Sequence, residues 1–225
     1  MGIIKEAISL LTSGDRELWQ IIGTTLVMSF FSTGISSVIG IVSGTVIGCG
    51  NFRGKTLLTK ITNTLMGLPP VAAGLIVFML FRSIGPFGSF HLMFTVPIMV
   101  IAQVVLITPI ICSLTVTAVG ERSKNLIETA KGLNLSRFRQ IILIIKECSR
   151  QIISIVLLGF GRSIAEVGAV SLVGGNVQYK TRVMTTAILL EANKGNFEKA
   201  MAVGIVLMLL SLIVNIIART NGGEK

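Results

Sequence analysis

The chain has 225 residues, of which 52% are hydrophobic and only 13% charged, and its mean hydropathy of +0.84 is far above that of a soluble domain. A formal charge of +10 raises the question of nucleic acid, but the basic residues sit singly at the ends of apolar runs, with little aromatic interleaving and no basic arm. Cys49, Cys112 and Cys148 are widely spaced and odd in number and His91 is alone, so neither a disulfide framework nor a metal cluster is indicated. The composition is that of a one-domain membrane protein.

Near the start, Ile3, Ile4, Ala7, Ile8 and Leu11 share one face, which suits an interfacial helix that need not enter the membrane. Residues 1–17 are expected to form such a segment on the outer side. The first spanning helix is predicted over Trp19–Ile47, longer than the ~20 apolar residues that a bilayer core needs and without the cleavage pattern of a signal peptide. Ser32, Ser36, Gly40, Gly44 and Gly48 recur every fourth residue along it. They leave a shallow groove for a close neighbour, either within the chain or across a dimer seam. Cys49-Gly50-Asn51-Phe52-Arg53-Gly54-Lys55-Thr56 then comes close to a phosphate-binding loop, but Cys49 stands where the first glycine belongs and a membrane helix stands where a strand belongs. It reads as a basic turn, so ATP, if used, must be hydrolysed by another chain.

A second span is predicted over Leu57–Phe81, interrupted by Gly67-Leu68-Pro69-Pro70, where proline removes a backbone donor and kinks the helix. Gly85-Pro86-Phe87-Gly88 marks a tight turn. A third span over Met93–Val119 contains Pro97 and Pro109. Glu121–Arg150 interrupts the apolar pattern. Leu126, Ile127, Ala130 and Leu133 fall on one helical face, and Lys124, Glu128 and Lys131 on the other. This predicts a short amphipathic helix, started by a Ser123 cap and ended at Gly132 and Asn134. A second amphipathic segment, with Phe138, Ile141, Ile142 and Ile145 on one side, is expected to lie along the membrane surface.

The fourth span, Gln151–Val173, carries Arg162 and Glu166 one turn apart. Each charge at the bilayer centre costs roughly 2.5 to 3.5 kcal/mol on insertion scales, so both need partners. They form either a structural pair or part of a polar pathway in which Arg162 attracts an oxyanion and Glu166 tempers the charge. Residues 176–199 connect to a last span, Ala200–Ile217. Thr181, Thr185 and Thr186 offer hydroxyls there, to a passing anion or to helix ends. Basic residues are more numerous on the side that holds 121–150, which predicts about five spans with the N-terminus outside and the C-terminus cytoplasmic.

Two stretches resemble a known family. Glu128-Thr129-Ala130-Lys131-Gly132-Leu133-Asn134 followed by Ser136-Arg137-Phe138-Arg139 resembles the loop by which bacterial ABC importer permeases dock on their ATP-binding subunits. Thr129 replaces an alanine, Asn134 a glycine and Lys146-Glu147 a Leu-Pro. Gly159-Phe160-Gly161-Arg162-Ser163-Ile164-Ala165-Glu166-Val167-Gly168-Ala169, then Val173-Gly174-Gly175-Asn176 and Thr181–Ile188, resembles the molybdate/tungstate permeases, most closely the tungstate branch. The resemblance runs from about Leu57 to the C-terminus. It implies an all-α, polytopic permease of the type I ABC importer fold in a prokaryotic plasma membrane, with a transmembrane domain at 18–219 and a cytoplasmic tail at 220–225. It also implies a homodimer with a pathway between its subunits, two ATP-binding subunits holding ATP and Mg and docked on Glu128–Asn134, and an external binding protein that delivers a tetrahedral dianion near 176–199. This chain would then bind no cofactor and catalyse no reaction. Arg162, Glu166, Asn176, Thr181 and Thr185 become the candidate pathway residues, with molybdate or sulfate, or an ATP-independent secondary anion transporter, as the other readings.

Overall fold

The computed structural model describes residues 16–132 and 136–221, with backbone alone for 121–132, 137 and 217–221. Among these residues the chain is all helical. The apolar runs become α1 (Arg16–Cys49), α2 (Lys55–Met66), α3 (Pro70–Phe81), α4 (Val96–Gly132), α5 (Arg137–Glu147), α6 (Ser149–Ile164), α7 (Gly168–Gly174), α8 (Met184–Asn193) and α9 (Phe197–Asn221). Three helices contain stretches long and apolar enough to cross a bilayer, Arg16–Cys49, Val96–Gly120 and Phe197–Ile216. The pairs α2–α3, bent by 100°, and α6–α7, bent by 54°, bring the total to five if each pair is one span.

Four expectations change in detail. The first break is deeper than a kink: with no N–H on Pro69 or Pro70, α2 stops at Met66 and a new helix starts at Pro70, a first-turn position that tolerates proline. The fourth span is not continuous, since α6 ends at Ile164 and Glu166 lies in the gap before Gly168. The amphipathic segment around Glu128 is the extension of α4 rather than a separate helix; its backbone runs unbroken from Val96 to Gly132, so Ser123 caps no helix start. Finally, α9 begins at Phe197 and runs to Asn221, past both expected ends. Pro97 falls in the first turn of α4, and Pro109 is carried inside it. Residues 1–15 and Asn134 lie outside the described residues.

The core forms where α1 and α4 lie against each other. Met28, Ile98, Met99, Ala102, Ile107 and Ile111 are buried there with Ala73 and Val77 of α3, Ile155 of α6 and Val170 and Val173 of α7. The small-residue stripe of α1 makes this approach possible within the chain. A methyl group at Gly40 would stand 2.9 Å from Ile111 Cβ, and one at Gly44 only 2.6 Å from the Cys112 carbonyl oxygen and 2.7 Å from Thr115 Cβ. Among the described residues the buried hydroxyls of Ser29, Thr33 and Ser36 have no hydrogen-bond partner, so packing alone holds these side chains. At one end of the molecule Leu18, Ile21 and Ile22 of α1 pack on Met184 and Ala187 of α8 and on Val203 and Val206 of α9. At the other end Val119, Ile144, Cys148 and Ile152 cluster beside Cys49. All three cysteines are free thiols. The near-phosphate-loop is a helix connection: Lys55 Nζ donates to the Gly48 carbonyl at 2.7 Å, capping the last turn of α1.

Gly44 and Gly34, on the same helix, make a matched pair, because nothing lies within 4 Å of a methyl group at Gly34. Gly44→Ala is expected to destabilise the folded chain by about 1–3 kcal/mol through overpacking, whereas Gly34→Ala is neutral or stabilises by up to about 1 kcal/mol through helix propensity. Thermal unfolding of the two variants in one detergent checks this; equal melting shifts would contradict the seam.

Candidate functional site

The break in the fourth span is organised by Glu166. Its Oε2 meets Arg162 Nη1 at 2.7 Å, and its Oε1 accepts the N–H of Ala169 at 3.1 Å. The carboxylate therefore neutralises Arg162 and also caps the first turn of α7, where backbone donors have no helical partner. The Glu166 carbonyl accepts a hydrogen bond from Thr185 Oγ1 at 2.8 Å, so α8 is tied to the same point. The pair is asymmetric: Glu166 is 3% exposed and Arg162 37%. Of the two sequence readings, structural pair and pathway lining, the geometry accommodates both, with the carboxylate sealed in the fold and the cation at its surface.

Ser163, the penultimate residue of α6, belongs to a buried polar knot that sequence reasoning missed. Ser163 Oγ and Ser32 Oγ both reach Gln103 Oε1, at 2.8 and 2.7 Å, and Gln103 Nε2 donates to the Ser163 carbonyl at 2.8 Å. The knot joins α1, α4 and α6. A lone glutamine inside an apolar run is the signal that would have found it, since a buried carboxamide demands partners.

The two breaks are neighbours. A methyl group at Gly168 would stand 2.9 Å from Val71 Cγ2 and 3.5 Å from Pro70 Cβ, and one at Gly74 2.7 Å from the Ala169 Cα. Only glycine at these positions lets α3 and α7 approach so closely. The interruption at Gly67–Pro70 and the one at Ala165–Val167 thus meet at one place, beside Glu166.

The other predicted residues are distributed differently. Thr185, 6% exposed, spends its hydroxyl on Glu166. Thr181, 1% exposed, donates to the Gly174 carbonyl at 2.5 Å and accepts from the Val177 N–H at 3.0 Å, closing the turn after α7. Asn176 is left-handed, with φ of 50°, and its side-chain oxygen accepts from Arg182 Nε at 3.2 Å. Arg182 in turn pairs with Glu17 at 2.5 Å, fastening the 176–182 turn to the start of α1. Thr186 accepts the Val183 N–H at 3.1 Å and caps α8. The threonine hydroxyls therefore serve helix ends and turns. Further along, Asn196 donates to Glu191 and Lys194 pairs with it at 3.0 Å, while Lys199 lies 3.9 Å away. The Asn196 hydrogen bond, then those cations, hold the Glu191 carboxyl below its usual range despite its burial. Glu128, Thr129, Ala130, Lys131 and Gly132 lie on the last turns of α4.

The exposed side of Arg162 opens on a groove of about 550 Å³ lined by Ser154, Leu157, Leu158, Gly161, Arg162, Ala165 and Asn215. Five of these follow one face of α6 at helical spacing, Ala165 comes directly after its end, and Asn215 faces them from α9. Its chemistry is mildly polar: one cation already shared with a carboxylate, a hydroxyl, a carboxamide and apolar side chains between them. Among the described residues no group of three His, Cys, Asp or Glu side chains is placed to hold a metal. His91 is exposed, left-handed at the end of a short 3₁₀ turn, with Nδ1 2.8 Å from the Ser89 carbonyl.

Comparison with known proteins agrees with this architecture. The chain is 37% identical to the tungstate uptake system permease protein TupB of Campylobacter jejuni, over 95% of this chain and 89% of that one. It is 36% identical to TupB of Peptoclostridium acidaminophilum, over 94% and 92%. Its fold matches a bacterial ABC transporter involved in the import of the acidic polysaccharide alginate, with a TM-score of 0.78 at 17% identity, covering 96% of this chain and 81% of that one. This is the type I ABC importer permease fold, and the chain is a transport component rather than an enzyme. Residues 36–221 match the family of binding-protein-dependent transport system inner membrane components, to which this chain therefore belongs.

Proposed function

We propose that this chain translocates tungstate into a prokaryotic cell as one of two identical permease subunits of an ATP-driven importer. The observation that carries the reading is the 36–37% identity to tungstate permeases over 94–95% of the chain. Membership in a binding-protein-dependent family favours this over an ion-gradient-driven transporter. The groove beside Arg162 supports it physically. A guanidinium 37% exposed on a spanning helix is stable when it faces water or a partner subunit, not lipid. Two copies that set these grooves face to face would enclose a polar path that five spans alone enclose poorly. Glu166 keeps each groove near neutral, so that a dianion is drawn in without being trapped.

The remaining parts of the machine follow on the same reading. ATP and Mg reside on two separate ATP-binding subunits, which dock on the end of α4 and the turn after it, Glu128–Asn134. An external binding protein delivers the anion to the side that carries 176–199. The N-terminus is then outside and the C-terminus cytoplasmic. Closure of the ATPase pair draws the two α4 ends together. Because α4 is continuous from Val96 to Gly132, that movement passes along one helix into the core around Gln103 and reopens the path outward; hydrolysis resets it.

Vesicles containing this chain with its ATPase and binding protein, offered equal tungstate and molybdate, are expected to accumulate tungsten in preference to molybdenum, and only with internal ATP. Equal uptake would move selectivity away from this assembly, and uptake indifferent to ATP would overturn the coupling. Glu128→Lys is expected to lower ATP-driven uptake at least tenfold and to reduce the ATPase copurifying with the chain, while the chain alone purifies as the wild type does. Unchanged uptake and unchanged copurification would show that the ATPase docks elsewhere.

A further inference from the structure

Among the described residues Asn215 is the one carboxamide lining the groove that Arg162 opens on. It sits on a stretch of α9 whose neighbours Leu212, Ile213 and Ile216 are apolar and about half exposed. A carboxamide among such side chains in a spanning helix is costly unless something polar meets it. Its Nδ2 donates to the Ser211 carbonyl one turn earlier, at 3.0 Å. That bond uses one of its two N–H groups; the other, and its carbonyl oxygen, have no protein partner among the described residues. Across the groove stand Ser154, which donates to the Arg150 carbonyl at 3.2 Å, and Arg162, about 12 Å further along α6 at 1.5 Å per residue.

We propose that Asn215 is a selectivity residue of the pathway, donating its free N–H to a tetrahedral oxyanion that passes between the α6 and α9 walls. This rests on the reading of the groove as part of the tungstate path. Four acceptor oxygens and two negative charges need donors in place of water, and the groove offers two kinds: the guanidinium, whose charge Glu166 balances, and a neutral amide. Neither holds a dianion strongly, which suits a station that must release it. A neutral donor also sorts by chemistry. It serves any tetrahedral oxyanion and gives nothing to an apolar solute.

The test uses the assembled transporter in vesicles, with tungstate delivered by the binding protein and ATP inside. Asn215→Asp keeps the size of the side chain but presents an acceptor charge to the anion. It is expected to reduce the maximal tungstate uptake rate at least tenfold, with the half-saturating concentration of loaded binding protein unchanged. Asn215→Gln, which keeps the donor, is expected to stay within twofold of the wild type. Wild-type rates in Asn215→Asp, or an equal loss in Asn215→Asp and Asn215→Gln, would overturn the proposal and leave Asn215 a packing residue. Absence of ATP-dependent tungstate uptake by the wild-type assembly would instead remove the path on which the proposal stands, an outcome told apart because it precedes any variant.

Discussion

A spanning helix that stops at Ile164 and restarts at Gly168 leaves loose backbone groups and a carboxylate in an apolar span, where water is not on hand to satisfy them, and the rest of the structure answers that constraint. Glu166 supplies part of the answer itself, by pairing with Arg162 and capping α7. Thr185 covers the Glu166 carbonyl, and Ser163 hands the adjoining turn to Gln103 and Ser32. Removing one partner from such a pair leaves an uncompensated buried charge, usually a loss of several kcal/mol. The break is therefore a fixed point of the fold, with α1, α4, α7 and α8 all tied to it through side chains.

What that fixed point holds in place is Arg162. A free arginine on this helix would swing toward whichever water it could reach; held by Glu166, its guanidinium stays at the groove wall. The second break, at Gly67–Pro70, packs against the same spot through Gly168 and Gly74. Two interrupted helices thus meet at one place. The long helices around them, α1 and α4, share a seam of glycine and serine contacts with little give, and so carry the scaffold.

Much of this was legible in the residues. Hydrophobic run length gave about five spans, the number reached when each bent pair is one, the proline pair gave one break, and the glycine stripe of α1 gave a close-packed seam, because each depends on local chemistry. The second break was not legible, since Ala165 and Val167 carry no breaker signal and the interruption is set by where Glu166 finds its partners. The extension of α4 through Ser123 was hidden for a related reason: a charged, amphipathic stretch reads as a separate element when nothing local says that the backbone continues. Within the candidate site, Arg162 and Glu166 stood out as charges in an apolar run. Gln103 and Asn215 are neutral and passed unnoticed, although the same cost of burial applies to them. Asn176, Thr181 and Thr185 offer amide and hydroxyl chemistry, which a sequence cannot assign to a turn or to an anion without knowing what lies within 3 Å.

On this reading the α6 face beside Arg162 looks onto water in the assembled transporter. Leu158 lines that groove and is 61% exposed in the single chain, so its surroundings separate a polar path from lipid. A Leu158→Cys variant, with Cys49, Cys112 and Cys148 replaced by serine, can be treated with a charged, membrane-impermeant thiol reagent while the complex is held with and without ATP. Labelling is expected from the cytoplasmic side in the resting state and falls when ATP closes that side. Absence of labelling in both states would mean that the face is buried in lipid or packing, and Arg162 would then be part of the framework alone.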